Sequence, residues 1–231
     1  MFFSRKTRAA PRRALALAVF AAAFASCGGG AVQVDFVRVP GGTFLMGTPE
    51  GASPACWEDE RPVRSVTVGG FYMSRYPITQ GEWRAVMGTS LRQQRNMASR
   101  QWGSYMPIRG EGDRYPMYYV NWFEAVEFAN RKSALGGREP AYVITGDGFF
   151  HHVFWNREAN GYRLPTEAEW EFAARGGSGS PGGFEFSGSD VAGEVAWYPG
   201  NSGEGAREVG LLMPNALGLH DMSVQASSPI L

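Results

Sequence analysis

The stretch that decides the fold is YRLPTEAEWEFA, residues 162–173. Thr166 is followed three positions later by Glu169, so the threonine hydroxyl can accept a hydrogen bond from the backbone N–H of Glu169 while the carboxylate reaches back to the N–H of Thr166. This capping box predicts that a helix begins here and ends near Gly176. Three apolar residues of this helix are expected to point inward: Trp170, Ala173 and Ala174.

The same helix-start chemistry occurs twice more along the chain. Thr79 with Glu82 predicts a helix that ends at Gly88, and Asn121 with Glu124 forms a looser version of the box. All three helices are expected to be short and to depend on tertiary packing. The tryptophans near the three helix starts are expected in the core rather than on a carbohydrate-binding platform: Trp83, Trp122 and Trp170.

Short strands are predicted ahead of the first helix, at residues 36–39, 43–46, 63–68 and 71–72. Residues 88–115 and 176–196 show no periodicity and are predicted to be long surface loops. The chain contains 31 glycines and 14 prolines, which is typical of much turn and irregular structure. The predicted class is therefore mixed α+β.

The first 26 residues have the order of a bacterial export signal, with five basic residues, the uncharged apolar run Ala14–Ala25 and then small residues. The run is too short to span a membrane, which takes about 20 apolar residues. Phe24–Cys27 resembles a lipobox, so Cys27 is predicted to carry lipid, and residues 27–35 are predicted to form a flexible tether. We expect an exported lipoprotein anchored in the membrane of the cell envelope; cleavage without lipidation is the alternative.

Removing residues 1–26 takes away five of the 22 basic residues and none of the 22 acidic ones, which leaves a net charge of −5. Because the remaining Lys and Arg are scattered among acids, no nucleic-acid partner is expected, and a protein or peptide partner stays open. Cys56 is the one cysteine besides Cys27. Its acidic neighbours at 58–60 disfavour the thiolate, so no function is assigned to it.

Six blocks of sequence run in order along the mature chain: residues 40–47, 60–63 with 71–73, 76–83, 116 with 120–125, 162–173 and 214–223. Together they resemble the formylglycine-generating-enzyme (sulfatase-modifying factor) family. The resemblance covers about residues 36–223. It implies a fold distantly like C-type lectin domains, with short strands, a few short helices and much irregular structure.

The resemblance implies that complete members oxidise a sulfatase cysteine to formylglycine with copper and molecular oxygen, and that they also bind calcium. Two late cysteines hold the copper, since soft thiolates select Cu(I). In this sequence no cysteine follows Cys56, and residues 224–231 do not continue the family pattern. No catalytic, cofactor-binding or metal-binding residue can therefore be assigned. The domain is predicted to be incomplete after Ser223, with 224–231 as an aberrant tail from a frameshift, an early stop or a truncation.

Three hypotheses follow from these observations. The chain is an oxygen-dependent oxidoreductase, a non-catalytic surface binding module on a lectin-like scaffold, or the inactive product of a broken gene; the sequence favours the two without catalysis. The remaining polar candidates are given structural roles. Glu167 and Glu169 belong to the helix start, Glu171 is expected in an ion pair, His151–His152 in a surface loop, and His220 in packing.

Overall fold

The computed structural model describes residues 35–49, 60–146, 152–179, 183–203 and 205–223. Contacts divide the chain into two units, Met1–Gly30 and Ala31–Leu231, and every described residue belongs to the second, which is a compact unit of its own. The predictions for the signal, Cys27, Cys56, His151 and the last eight residues lie outside the described residues. Within the described part, none of the helices has the length and apolar character needed to cross a membrane.

Short elements alternate with irregular chain through the described residues. In chain order they are β1 (Phe36–Val39), β2 (Gly42–Met46), β3 (Arg64–Val68), β4 (Phe71–Ser74), α1 (Gln80–Met87), α2 (Leu91–Trp102), α3 (Trp122–Leu135), β5 (Tyr142–Thr145), β6 (His152–Trp155), α4 (Glu167–Ala174), a 3₁₀ turn (Gly177–Gly179), α5 (Ala192–Val195) and α6 (Pro199–Ser202).

The strands form antiparallel pairs, β1 with β4, β2 with β3 and β5 with β6. The four predicted strands are confirmed, but β1 and β2 do not pair across the turn that joins them; each pairs with a later strand. Gly41 shows why this turn needs glycine. A Cβ there would lie 2.8 Å from both the Gly70 nitrogen and the Val68 oxygen, so the two turns pass too closely for a side chain.

The core centres on α4 and the first strands. Val39, Phe172, Ala173 and Leu219 are almost completely buried, and the Phe44 ring lies 5.3 Å from the Phe172 ring. The stretch that begins with the Thr166 capping box therefore supplies the central aromatic residue of the core.

Helices α1 and α3 pack against each other through a stacked aromatic pair. The rings of Trp83 and Phe128 are 5.2 Å apart and nearly parallel, at 2°. The Trp83 indole N–H donates to the Thr89 hydroxyl at 2.9 Å, so this buried tryptophan keeps its hydrogen bond. Its predicted core position is confirmed.

All three predicted capping boxes are present with both hydrogen bonds, at Thr79, Asn121 and Thr166. Gly88 ends α1 in the left-handed conformation, with φ of 74°. Local hydrogen-bond chemistry thus identified these helix starts correctly.

The prediction of a loop over 88–115 was wrong, because α2 occupies twelve of its residues. The helix begins with a fourth capping box, formed by Ser90 and Gln93. Its side chains are mostly polar, and Leu91 and Gln94 are the ones that become buried, so it has no apolar periodicity. The predicted loop over 176–196 likewise contains the 3₁₀ turn and α5, and α3 extends over fourteen residues, longer than expected.

Two of the three tryptophans predicted in the core are instead at the surface. Trp122 is 45% exposed and Trp170 is 42% exposed. Trp170 and Phe172 are separated by about 200° around α4, so they cannot both face the core, and Phe172 is the one that does. His152 is an exposed residue of β6 rather than part of a loop.

Candidate functional site

An aromatic pocket of about 250 Å³ opens where α3, the β5–β6 hairpin and the segment before α4 meet. We call it the aromatic pocket. Its walls are mostly apolar, and Thr166, the N-cap of α4, lies at the same site. The wall residues are Trp122, Tyr142, Val153, Trp155, Leu164 and Pro165.

The hairpin presents two of these aromatic rings side by side. Tyr142 and Trp155 are direct cross-strand partners in the β5–β6 ladder. The Asn130 side chain of α3 fixes this hairpin, because its amide N–H donates to the Tyr142 carbonyl at 2.7 Å and its oxygen accepts from the Tyr142 N–H at 3.0 Å. One amide thus satisfies both backbone groups of Tyr142 and sets the distance between α3 and the pocket wall.

The third wall is the extended segment before α4. The Leu164 N–H donates to the Tyr142 hydroxyl oxygen at 3.0 Å, which joins this segment to the hairpin. Burial raises the pKa of Tyr142 above its ordinary value, against the opposing effect of the Leu164 N–H. The phenol therefore stays neutral at physiological pH.

A two-pronged ion pair braces the same segment. The Arg163 guanidinium donates to both carboxylate oxygens of Glu169, each at 2.7 Å, and Glu169 also accepts from the Thr166 N–H at 2.9 Å. Burial acts to raise the pKa of Glu169, but the bonds from Arg163 and Thr166 outweigh it and hold the pKa below its ordinary value. Glu169 is therefore ionised at neutral pH.

Two guanidinium groups lie against the indole of Trp155. The centre of the Arg157 guanidinium is 4.8 Å from the ring centroid, and that of Arg163 is 5.0 Å away. Such contacts stabilise a cation over an indole by about 0.5–1 kcal/mol at exposed sites. Arg163 is paired with Glu169, and Arg157 adds a second positive charge beside the indole.

The polar groups at and beside the pocket already have hydrogen-bond partners within the protein. The Tyr142 hydroxyl, the Thr166 hydroxyl and the Glu169 carboxylate are all engaged in the bonds that hold the walls together. Its volume lies below the about 300–1,000 Å³ typical of small-molecule sites. The pocket is therefore small and mostly apolar.

Glu171 and His220, two of the polar candidates of the sequence, are not among the residues that line this pocket. Glu171 is an ion-pair partner as predicted, since one of its oxygens accepts from Arg175 at 2.8 Å and from the Gly47 N–H at 2.9 Å. The His220 ring packs 5.0 Å from the Tyr76 ring, and its Nδ1 lies 2.9 Å from the Leu212 carbonyl, so its packing role is confirmed.

The copper site implied by the family resemblance does not fit the donors in the described residues. Those residues include no cysteine, and among them no group of three or more His, Cys, Asp or Glu side chains is placed to hold a metal. Cys27 and Cys56 both lie outside the described part of the chain. No step can therefore be derived through a thiolate-bound metal.

Sequence reasoning assigned no residue to the aromatic pocket. Its walls come from three segments separated by many residues, and each of them taken alone is consistent with core packing. The available signal was the surplus of tryptophans, since α3 already had Phe128 for its core contact and did not need Trp122 there as well.

Comparison with known proteins identifies the family. The model of the sulfatase-modifying factor enzyme 1-like domain matches residues 30–226. The chain belongs to this family. The predicted resemblance and the α+β fold class are thereby confirmed.

Relatives within the sulfatase-modifying factor family differ in their names. The chain is 32% identical over 229 residues to "Chaperone protein LppX" of Paenibacillus barcinonensis, a match that covers 87% of the chain and 72% of that relative. It is 34% identical over 164 residues to "Inactive C-alpha-formylglycine-generating enzyme 2" of Bos taurus, which covers 64% of the chain and 51% of that relative. The chain therefore spans about half the length of the bovine protein.

Among solved structures, the chain is similar to the crystal structure of CarF. The two share 29% sequence identity with a TM-score of 0.60, over 83% of this chain and 77% of the other. Short strands, short helices and long irregular segments are thus the architecture expected of a sulfatase-modifying factor domain.

Proposed function

We propose that this chain is an exported, lipid-anchored member of the sulfatase-modifying factor family that binds exposed apolar side chains of other polypeptides and does not oxidise cysteine. The observation that carries the proposal is the aromatic pocket, whose volume of about 250 Å³ suits one apolar side chain. The name of the Paenibacillus relative, a chaperone, supports binding of polypeptides as the use of this scaffold.

The walls of the pocket favour a polypeptide over other ligands. Trp122 leaves 45% of its surface exposed at the mouth, so it can contact an incoming chain without rearrangement of the core. Exposed tryptophans that become buried on binding are typical hot spots of protein interfaces. Arg157 adds a positive charge beside Trp155 that favours backbone carbonyls or acidic residues flanking the apolar side chain.

Suppression of client aggregation tests this function. The processed chain is mixed with a denatured reporter protein as the reporter is diluted from denaturant, and light scattering is followed. We expect Trp122→Ala to reduce the suppression strongly, whereas Trp102→Ala, at a more exposed position on α2, leaves it unchanged. Equal suppression of aggregation by wild type and Trp122→Ala would show that the pocket has no part in this function.

Cysteine oxidation is the second candidate, because other members of the family are formylglycine-generating enzymes. It requires two thiolates for copper. The 231 residues contain two cysteines, Cys27 and Cys56, and if Cys27 carries lipid, as proposed, Cys56 alone can supply a thiolate. The test is mass spectrometry of a cysteine-containing sulfatase peptide after incubation with the protein, copper and a thiol reductant. We expect no aldehyde product; an aldehyde that depends on this protein would refute the non-catalytic part of the proposal.

Export and anchoring rest on the sequence of residues 1–27. A metabolic fatty-acid probe should label the wild-type protein in a bacterial host and leave Cys27→Ser unlabelled. An unlabelled wild type whose N-terminus starts near Gly28 would show cleavage without lipid and would contradict the anchor.

A further inference from the structure

The outer edge of β6 borders the aromatic pocket. Val153 and Trp155 of this strand line the pocket. Phe154 lies between them, points to the opposite face of the hairpin and is 62% exposed. Because β5 and β6 form a sheet of two strands, the second edge of β6 has no strand beside it within the described residues.

The ladder shows which backbone groups face this open edge. The Asn156 N–H donates to the Ala141 carbonyl at 2.8 Å, which marks a hydrogen-bonded pair. Hydrogen-bonded and non-bonded pairs alternate along an antiparallel ladder. In the next pair, Tyr142 with Trp155, the N–H and C=O groups are therefore turned outward, and so are those of Val153. Among the described residues, no other backbone group bonds those of Val153 or Trp155.

The two edges of the hairpin differ in what covers them. On β5, the Asn130 side chain bonds both outward-turned groups of Tyr142, so α3 occupies that edge. On β6, the sequence HVFW contains no lysine, acidic residue or proline. Natural proteins use charged side chains, proline or bulges to keep an exposed edge from pairing with another chain. Because β6 has none of these residues, its edge can accept another strand.

We infer that the outer edge of β6 binds an extended segment of another polypeptide as an added antiparallel strand. The inference rests on the proposed function of the aromatic pocket and specifies how the bound chain is held. A residue of that chain paired with Val153 or Trp155 exchanges backbone hydrogen bonds with it and directs its own side chain toward the pocket face. The residues before and after it point to the other face, beside Phe154. The bound class is therefore an extended segment with apolar residues on both faces, as in aggregation-prone stretches.

Backbone-methylated peptides test this inference without altering the protein. The probe is a short labelled peptide with one phenylalanine, a valine on each side of it and serine or threonine elsewhere, titrated with the processed chain by fluorescence anisotropy. Methylating the phenylalanine nitrogen removes an N–H that bonds β6, whereas methylating the nitrogen of the following valine removes one that points away from β6. We expect the first peptide to bind about tenfold more weakly, and the second to bind within about twofold of the unmodified peptide.

Phe154 provides a second test, because an extended strand contacts both faces of the hairpin by running along the edge between them. Phe154→Ser should weaken binding severalfold, and replacing the two valines of the peptide by serine should abolish that difference. Val143→Ser is the matched control. Val143 is the cross-strand partner of Phe154 and is 53% exposed, but it lies one strand further from the edge, so peptide affinity should stay at the wild-type level. Thermal melts check that both variants are folded.

The outcomes distinguish this inference from the proposed function. If Trp122→Ala weakens binding while both methylated peptides bind equally well, the pocket binds a side chain but β6 adds no strand, and the inference is overturned. If the peptide does not bind at all, the proposed function fails together with it. Sedimentation of the protein alone should show a monomer. A dimer that Phe154→Ser abolishes would show that a second copy occupies this edge, and would also overturn the inference.

Discussion

Replacing Glu169 by glutamine should lower the stability of the domain by about 3 kcal/mol. The carboxylate accepts two bonds from Arg163 at 2.7 Å and two from Thr166, at 2.9 and 3.1 Å. Glutamine keeps one acceptor but turns an NH₂ group toward a guanidinium that can only donate. The side chains of Glu169 and Arg163 are 12% and 27% exposed, so solvent screens the pair only in part, and we take the lower end of the about 3–5 kcal/mol typical of breaking a buried pair.

Thermal melts followed by circular dichroism measure this effect. For a domain of this size each kcal/mol shifts the midpoint by about 2–4 °C, so Glu169→Gln should melt about 6–12 °C lower at pH 7. Because the folded state holds the pKa of Glu169 below its ordinary value of 4.5, the stabilisation is complete above that pH and is lost as the pH falls through the lowered pKa. The two proteins should therefore converge in acid.

Glu127→Gln is the matched control. Glu127 bonds Arg131 one helical turn away on α3, with side chains 44% and 50% exposed. Exposed pairs of this kind contribute about 0.3–0.5 kcal/mol, so the midpoint should barely move. A Glu169→Gln midpoint no lower than that of Glu127→Gln would refute the role given to the Arg163–Glu169 pair as the brace of the pocket wall.

Two further predictions concern buried groups. Trp83→Ala should lower the free energy of unfolding, measured in urea, by about 3–5 kcal/mol, because the residue is 3% exposed and its ring is stacked on Phe128. A loss of under about 1 kcal/mol would mean that the α1–α3 contact does not stabilise the fold. Asp221→Asn should raise the melting midpoint at pH 7, because burial raises the pKa of Asp221 and one of its carboxylate oxygens has no hydrogen-bond partner among the described residues. The difference in midpoint between variant and wild type should shrink as the pH falls through the raised pKa, because the aspartate is then protonated. A lower midpoint for the variant at pH 7 would show that this oxygen contacts a cation.

Local chemistry explains which parts of the fold could be predicted. A capping box depends on two side chains three residues apart and on the backbone between them, so Thr79, Asn121 and Thr166 identify their helices without knowledge of the tertiary fold. The short strands follow from alternation in the same way. Pairing is a different matter. Gly41 and Gly70 approach each other because β1 pairs with β4 and β2 pairs with β3, which brings the two turns together. No local sequence pattern predicts this pairing.

Neither the polar helix α2 nor the aromatic pocket could be predicted from the sequence, and each failure has a physical reason. Helix α2 buries few of its residues, so apolar periodicity gives no signal for it. The aromatic pocket depends on Trp122, Trp155 and Leu164 meeting from separate segments. Trp170 could not be placed from spacing alone, because Phe172 competes for the same core and faces the other side of α4.

We propose that the aromatic pocket binds an apolar side chain of another polypeptide. Fluorescence anisotropy of a labelled unfolded peptide with a single phenylalanine, titrated with wild type and with Trp122→Ala, tests it most directly. Removing either the tryptophan or the phenylalanine should weaken binding about tenfold, and removing both should have little more effect than removing one. Equal peptide affinity of wild type and Trp122→Ala would contradict this proposal. So would losses of binding free energy from the two removals that simply add.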